Sequence, residues 1–289
     1  MKIGVTLPNN WGVVDPRAML LLGPLAERLD FDSVWTMDHL LNIATVRERL
    51  EDRPYYHPLS VLSHLSATTE RIILGTSVMV LPYHDPVGLA KYAATLDAIS
   101  NGRLILGVGA GALREEFLAL GIPMSRRGEL TDEGIAVMKD LWINEEPSYQ
   151  GGRYRFADLK FSPRPVQKPH IPLWIGGGSP AALLRTARIG NGWHPTSISP
   201  ADFLTGRNRI AELAQEFGRR PSEIEMSVRL DVDLTQDATS DALECLVAEI
   251  VDFQQVGVEH TVLALGSGDT LRLESWMEAI ASGVLPAFR

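Results

Sequence analysis

One stretch of sequence decides the fold of this chain: Leu173-Trp174-Ile175-Gly176-Gly177-Gly178-Ser179-Pro180. An apolar strand runs directly into three glycines, and a helix opens at once, since Pro180 suits the first helical turn, where its missing N–H is not needed. Glycine lets backbone N–H groups come close to a ligand, and a helix N-terminus favours an anion. The stretch therefore indicates a phosphate-binding turn between a strand and a helix; a tight turn that binds nothing is the alternative.

The same alternation of strand and helix continues through all 289 residues. Apolar, β-branched-rich runs predict eight strands: Lys2–Leu7, Ser33–Met37, Ile72–Leu81, Leu104–Val108, Leu173–Ile175, Gly192–His194, Ile224–Leu230 and Thr261–Leu265. The runs that follow them predict helices: Pro16–Leu29, Pro58–Thr69, Pro86–Ser100, Glu129–Trp142, Pro180–Ile189, Pro200–Phe217, Ser240–Val256 and Leu271–Ala281. Continuous apolar strands are typical of parallel sheets buried on both faces. Eight such units predict an α/β fold, a (β/α)8 TIM barrel.

Residues 144–172 depart from this alternation. They contain glycine/aromatic turns and five prolines, and Tyr149–Phe156 resembles a short hairpin. We interpret the segment as an insertion after the fourth helix, within a single domain of residues 1–289. Because insertions on barrels often shape the mouth of the site, we expect this one to do so.

Composition limits the classes of partner. The net charge is −9 and no lysine/arginine run occurs, which disfavours general nucleic-acid binding. No apolar run is long enough for a membrane span. Cys245 is the only cysteine, so no disulfide framework is expected, which fits a reducing cytoplasm. These features favour a cytoplasmic protein with a small-molecule ligand.

Active sites of barrels lie at the C-terminal ends of the strands, where several polar groups are predicted to meet. Asp38-His39 ends the second strand, and a histidine there can donate to an anionic oxygen or shuttle a proton. Asp38 could orient His39 or contact a ligand itself. The alternative is that Asp38 caps the loop and His39 is solvated.

A second glycine-rich turn, Gly107-Val108-Gly109-Ala110-Gly111-Ala112, ends the fourth strand. It matches G-x-G-x-x-A, but a dinucleotide site would place that motif at the first strand and an acidic residue about 20 positions later. We interpret these glycines as allowing close approach to a cofactor. Glu115 and Glu116, in the helix-like run after the turn, are expected to be solvated or capping residues. Arg126-Arg127 lies near the mouth, either as a phosphate contact or as an exposed pair. The histidines show no metal-ligand spacing, so no metal site is predicted.

Several motifs occur in a fixed order along the whole chain: Asp32-Ser33-Val34-Trp35-Thr36-Met37-Asp38-His39-Leu40, Ile73-Leu74-Gly75-Thr76-Ser77-Val78, Asn101–Gly111, Leu113–Phe117, Leu120–Pro123, Pro172–Trp193 and Val284–Arg289. With these motifs the chain resembles the luciferase-like flavin and deazaflavin oxidoreductases, especially the branch that uses coenzyme F420. The resemblance implies a TIM barrel, F420 as cofactor with FMN as the alternative, and a homodimer. It also implies hydride transfer between C5 of the deazaflavin and a small organic substrate.

The resemblance further implies roles for individual residues. A non-prolyl cis peptide at Ser77-Val78 would press against the back of the ring. His39 would be the proton shuttle and Asp38 a second catalytic residue, with substrate beneath the insertion and Trp11. Cofactor-binding positions would be Thr76, Ser77, Val78, Gly109, Ala110, Gly111, Gly176, Gly177, Gly178 and Ser179.

One position departs from the family pattern. Sugar-phosphate-oxidising members carry a glutamate directly after the glycine turn that ends the fourth strand, and this chain has Ala112 there. We therefore do not expect sugar-phosphate dehydrogenation. Three alternatives to an F420-dependent oxidoreductase stay open: an FMN-dependent luciferase-like monooxygenase, a non-catalytic F420/flavin-binding protein and, more distantly, a Rossmann dehydrogenase.

Overall fold

The computed structural model describes residues 1–235 and 237–289. Its strands are β1 Lys2–Thr6, β2 Ser33–Thr36, β3 Ile73–Thr76, β4 Met79–Val80, β5 Leu104–Gly109, β6 Tyr149–Gln150, β7 Arg155–Phe156, β8 Leu173–Gly176, β9 Gly192–His194, β10 Glu225–Val232 and β11 His260–Leu265. Its α-helices are α1 Pro16–Arg28, α2 Ala44–Leu50, α3 Pro58–Thr68, α4 Pro86–Ile99, α5 Arg114–Ala119, α6 Arg127–Ile143, α7 Pro180–Ile189, α8 Pro200–Glu216, α9 Ser240–Gln255 and α10 Thr270–Gly283.

The parallel strands close into a barrel in the order β1-β2-β3-β5-β8-β9-β10-β11, with β11 pairing back to β1. The predicted (β/α)8 TIM barrel is confirmed. The third predicted strand, Ile72–Leu81, is the one that differs most. It is split into β3 and β4 by Ser77-Val78, and Leu81 begins a short 3-10 helix. Helix α2 was not predicted from the sequence, because its residues show no apolar period.

The barrel interior is filled by two indoles and the glycines opposite them. Trp35 and Trp174 stack at 5.1 Å between ring centroids and are buried with Ile105 and Val262. A Cβ atom at Gly75 would lie 2.3 Å from the Trp35 ring, and one at Gly192 would lie 2.5 Å from the Trp174 ring. The glycines therefore make the space that the indoles occupy.

Residues 144–172 do not lie at the mouth of the barrel. The predicted hairpin is present as β6 and β7, and its loop amides bond to Glu133 on the outer helix α6. The later part of the segment returns to the start of β5, where the Gln167 side-chain amide donates to Asp97 and to the Leu104 carbonyl. A helix of a barrel carries the chain back to the N-terminal ends of the strands, so a segment that follows a helix begins at that face. The expectation that the insertion shapes the mouth was therefore wrong.

Within the described residues, the structure contains no helix that is both long and apolar enough to cross a membrane.

Candidate active site

A cavity of about 580 Å³ opens at the C-terminal ends of the strands, within the size range of small-molecule sites. The described residues that line it are Met37, Asp38, His39, Ser77, Val78, Val80, Gly109–Leu113, Arg127, Gly176–Ser179, Ala182, Arg185, His194, Thr196 and Arg229. The cavity brings together the ends of β2, β4, β5, β8, β9 and β10. No residue of 144–172 lines it.

Every residue predicted for the site lines this cavity except Thr76. The side chain of Thr76 is fully buried, and its hydroxyl donates to the Gly107 carbonyl at 2.8 Å. Thr76 therefore joins two strands beneath the cavity and does not face a ligand there. Trp11 lies in an adjoining pocket that shares Met37 and Arg229 with the cavity.

The peptide bond between Ser77 and Val78 is cis, as the family resemblance implied. The Val78 side chain forms one wall of the cavity and packs on the two glycine-rich turns. A Cβ atom at Gly109 would lie 2.8 Å from Val78 Cγ2, and one at Gly176 would lie 3.0 Å from Val78 Cγ1. These glycines are required to seat Val78, whether or not a ligand is present.

The glycine-rich turn after β8, Gly176–Ser179, is open to the cavity. Gly177 has φ +95°, a backbone conformation that favours glycine, and a Cβ atom at Gly178 would meet nothing within 4 Å. The Ser179 hydroxyl caps α7 by accepting from the Ala182 N–H at 3.3 Å, and the Trp193 indole donates to the Gly177 carbonyl. The turn is thus held from behind and leaves free space in front of a helix N-terminus.

Two arginines line this side of the cavity. Arg185 is buried and pairs with Asp132 at 2.7 Å, whereas Arg127 is exposed and donates to the Met124 carbonyl. Arg126, by contrast, pairs with Glu129 at 2.6 Å on the surface and does not line the cavity. Of the two arginines predicted to lie near the mouth, only Arg127 therefore lines the cavity, where it can contact an anion.

His39 is oriented by Glu116 and not by Asp38. His39 Nδ1 lies 2.7 Å from Glu116 Oε2, and the other carboxylate oxygen accepts from the N–H groups of Leu40 and Leu41. Burial alone raises the pKa of Glu116, but the hydrogen bonds from His39 and the two amides outweigh it and lower that pKa. The carboxylate is thus ionised at neutral pH and requires an N–H on Nδ1, which leaves Nε2 for a ligand.

Asp38 belongs to a separate buried pair. Its Oδ2 accepts from the Val80 N–H at 2.9 Å and lies 2.6 Å from His84 Nε2. Its Oδ1 is buried at the cavity with no hydrogen-bond partner among the described residues. A buried carboxylate oxygen without a donor is costly, so Asp38 is set to accept from an N–H group of a ligand.

His194 forms part of the cavity floor. Its Nε2 lies 2.9 Å from Ser77 Oγ and its Nδ1 lies 2.8 Å from Ser227 Oγ. The ring also stacks on Trp35 at 5.1 Å. Burial, together with the nearby charge of Arg229, lowers the pKa of His194 to about 3, so this ring is neutral at physiological pH.

Sequence reasoning missed two polar groups of the site. Glu116 was expected to be solvated or capping, but it is fully buried against His39, while its neighbour Glu115 is exposed. Helix α5 has only six residues, too few for periodicity to tell which glutamate turns inward. Arg229 lies in an apolar strand, and its position in the alternation was the one available signal that it points into the barrel.

Comparison with known proteins supports the same picture. The family model for luciferase-like monooxygenases matches residues 1–280. An F420-dependent glucose-6-phosphate dehydrogenase from Microbacterium testaceum is 37% identical over 201 residues, which cover 66% of this chain and 55% of that protein. This chain spans about half the length of several curated relatives that it matches, among them this enzyme and an uncharacterized protein from Mycobacterium bovis.

Two solved structures share the fold over the whole chain. A monooxygenase from Streptomyces bottropensis superimposes with a TM-score of 0.85 at 23% identity and covers 100% of both chains. An F420-dependent secondary alcohol dehydrogenase, solved with an F420-acetone adduct, superimposes with a TM-score of 0.84 at 20% identity and covers 100% of this chain and 99% of that one.

Proposed function

This chain belongs to the luciferase-like monooxygenase family, and from that premise we propose that it is a coenzyme F420-dependent oxidoreductase of a small organic substrate. The observation that carries the proposal is the pairing, in one cavity, of the Val78 wall with the open turn at Gly178. The flat ring of a deazaflavin requires a wall such as the one that Val78 forms, and its phosphate requires open space such as that at Gly178. The F420-dependent relative named above agrees with this cofactor.

The residues of the cavity fit a deazaflavin with a phosphate-bearing tail. The space in front of Gly178 and the N-terminus of α7 suit a phosphate, and Arg127 lies on the same side. The unpartnered Oδ1 of Asp38 suits an N–H donor, which the pyrimidine edge of a deazaflavin carries. When bound, the deazaflavin supplies the carbon that gives or takes the hydride.

His39 is the residue we assign to proton transfer. Its Nδ1 is held by Glu116, and its side chain is 28% exposed into the cavity. A fixed imidazole with one free nitrogen can hold a proton for a substrate oxygen and return it later. The buried Glu116 carboxylate holds His39 at Nδ1 and so fixes the orientation of the ring, which makes Glu116 a positioning residue.

We propose a substrate other than a sugar phosphate. Ala112 lines the cavity at the position where sugar-phosphate-oxidising relatives have a glutamate, so that carboxylate is absent here. Glu116 does not replace it, because its carboxylate oxygens already accept from His39 and from the Leu40 and Leu41 amides, and the Tyr83 hydroxyl lies close to it as well.

A binding titration followed by fluorescence tests the cofactor assignment. The purified protein is titrated with F420 and, separately, with FMN. Tight binding of F420 and weak binding of FMN is the expected result. A preference for FMN would assign the protein to the monooxygenase branch, and binding of F420 without hydride transfer to any substrate of a broad panel would favour a non-catalytic binding protein.

We further propose that the protein is a homodimer in the cytoplasm. Large apolar side chains are exposed on the neighbouring helices α1 and α10, with Leu21 63% exposed and Leu271 74% exposed. Such side chains on adjacent elements favour an interface. Light scattering is expected to give twice the chain mass of 31.8 kDa, and a monomeric mass would contradict the proposal.

A further inference from the structure

Arg229 is a largely buried cation that the proposed chemistry does not use. It lies on β10 with its side chain only 19% exposed, and it lines the floor of the cavity. Its Nη1 lies 3.7 Å from the Met37 sulfur, a weak acceptor. Its Nε is buried and has no hydrogen-bond partner among the described residues.

The charges near Arg229 do not neutralise it. Asp231 Oδ1 lies 4.0 Å from Nε, but this carboxylate is 69% exposed, so water screens it. His194 below is neutral, and burial lowers the pKa of Arg229 itself. Guanidinium carries five donors that match a carboxylate in pairs. A buried guanidinium with so few acceptors is costly unless a ligand supplies an anion.

A second pocket of about 540 Å³ adjoins the cavity at this arginine. Met37 and Arg229 line both spaces and so form their junction. Trp11, Val232, Leu234 and Ala264 give the second pocket an apolar wall, and the polar residues Asn10, Thr235 and Ser267 line it as well. Asp231 and Asp233 also line this pocket, and both are solvent-exposed. The junction thus offers a cation to one end of a ligand and apolar surface to the rest.

We propose that the substrate is a small carboxylic acid with an apolar body, held by its carboxylate on Arg229. The apolar body lies against Trp11 and Leu234 in the second pocket, and the reacting carbon faces the cavity from the junction. The inference rests on the proposed function, since it names the class of substrate for that site. An arginine that instead contacts the cofactor is the competing assignment, and the test separates the two.

Isothermal titration calorimetry tests the proposal with matched acids and amides. Hexanoate and phenylacetate are compared with hexanamide and phenylacetamide on the protein with and without F420. The loaded wild-type protein is expected to bind the acids at least about 10-fold more tightly than the amides. Arg229→Met is expected to lose about 30-fold in acid affinity, the size typical of truncating one partner of a buried charge pair, with little change for the amides.

Three controls keep the result specific. Arg229→Lys keeps the charge without the paired donors and is expected to fall between wild type and Arg229→Met. Asp231→Asn removes the competing carboxylate and is expected to tighten acid binding by about twofold. The melting temperature of Arg229→Met is expected to be equal to or above that of wild type, because an unpaired buried charge is removed; a purely structural role would lower it.

The opposing outcomes are distinct. Equal binding of acids and amides by wild type, no binding of either acid, or unchanged acid binding by Arg229→Met would overturn the proposal. A loss of F420 affinity in Arg229→Met, with no acid preference in wild type, would assign the arginine to the cofactor. If wild type binds the acids but not F420, the substrate inference stands and the proposed cofactor fails.

Discussion

The glycine-rich turn that includes the end of β5, Gly107–Ala112, and the turn after β8, Gly176–Ser179, both contribute to the same cavity, yet their glycines meet different surroundings. A Cβ atom at Gly107 would lie 1.9 Å from the Thr76 carbonyl oxygen, whereas one at Gly178 would meet nothing within 4 Å. The first turn needs glycine because the protein itself fills the space. The second leaves that space free. A glycine-rich motif can therefore either accommodate the protein's own packing or leave space for a ligand. The free space around a Cβ atom built on each glycine distinguishes the two cases.

The helices that follow the two turns differ in the same sense. Helix α5 begins without a side-chain cap at Leu113 and carries Glu115 and Glu116 in its first turn. Helix α7 is capped by Ser179 and has no acidic residue in its first turn. Acidic side chains at a helix N-terminus compete with an external anion for the same positive end of the helix dipole. The helix after the first turn thus brings a carboxylate of the protein into the site, whereas the second turn leaves space for an anion of a ligand.

The comparison is tested most severely by Gly107→Ala. The new methyl group would overlap a backbone carbonyl, which cannot rotate away, so we expect a loss of about 3 kcal/mol or more in the free energy of unfolding, or failure to fold. Urea unfolding measures this. Gly178→Ala is the matched control, and we expect its stability to change by no more than about 1 kcal/mol, because the position is open and alanine restricts the unfolded chain.

Equal stability of the two alanine variants would contradict the prediction that crowding around the Cβ position makes glycine necessary in the first turn but not in the second.

The second test concerns ligand affinity. We expect Gly178→Val to fold normally but to bind F420 about 100-fold less tightly, because its side chain would fill the space in front of α7 and remove charge-assisted hydrogen bonds to the phosphate. Fluorescence titration gives the dissociation constant, and near-ultraviolet circular dichroism checks the fold. An unchanged dissociation constant would place the phosphate elsewhere.

The third test concerns the carboxylate that α5 delivers. We expect Glu116→Gln to lower kcat by about 100-fold, within the usual contribution of general acid–base catalysis, since the amide no longer fixes the N–H on His39 Nδ1. The dissociation constant of F420 should stay nearly constant. The exposed neighbour variant Glu115→Gln should match wild type in both measurements. A parallel loss in kcat and in cofactor affinity would mean that Glu116 supports binding instead.

We also expect Glu116→Gln to change how the stability of the protein depends on pH in the acid range. Folding lowers the pKa of Glu116 from its ordinary value of 4.5. Its pairing therefore contributes stability above the unfolded pKa and loses it as pH falls through the lower folded value. We expect Glu116→Gln to show a weaker loss of stability than wild type below about pH 4.5, in thermal unfolding followed by circular dichroism. Identical slopes would contradict the assignment.

The smallest effect is expected at the helix caps. Ser179→Ala removes the cap of α7 and should cost about 1 kcal/mol in the free energy of unfolding. The corresponding change at the uncapped helix, Leu113→Ala, removes no cap, so any loss there reports packing alone. Chemical unfolding of both variants compares them. No loss in Ser179→Ala would mean that the glycine turn itself holds the start of α7.

The barrel was predictable because its signals are local and repeated. Strand runs such as Gly192–His194 and proline-started helices such as Pro180–Ile189 appear in the structure with the predicted bounds. The residues around the cavity were also predictable as a group, since strand ends of a barrel meet at one face. Whether they bind a cofactor stays a prediction.

Contacts between distant segments were not predictable. Thr76 turns away from the cavity to bond Gly107, and Asp38 pairs with His84 while Glu116, 77 positions from His39, takes the expected role of Asp38. Neither burial of a polar side chain nor its partner is encoded in local periodicity. These contacts depend on which strand ends and loops come together in three dimensions, and local patterns in the sequence do not determine that.

The stacked indoles of Trp35 and Trp174 lie directly under the cavity floor and touch the ring of His194. Tryptophan rings so close to one another share electronic excitation and can transfer it to a nearby ligand whose absorption overlaps their emission. The protein's own tryptophan emission should therefore be quenched when a coloured ligand enters the cavity. Tryptophan fluorescence of the barrel core should thus report whether the cavity is occupied, without an added label.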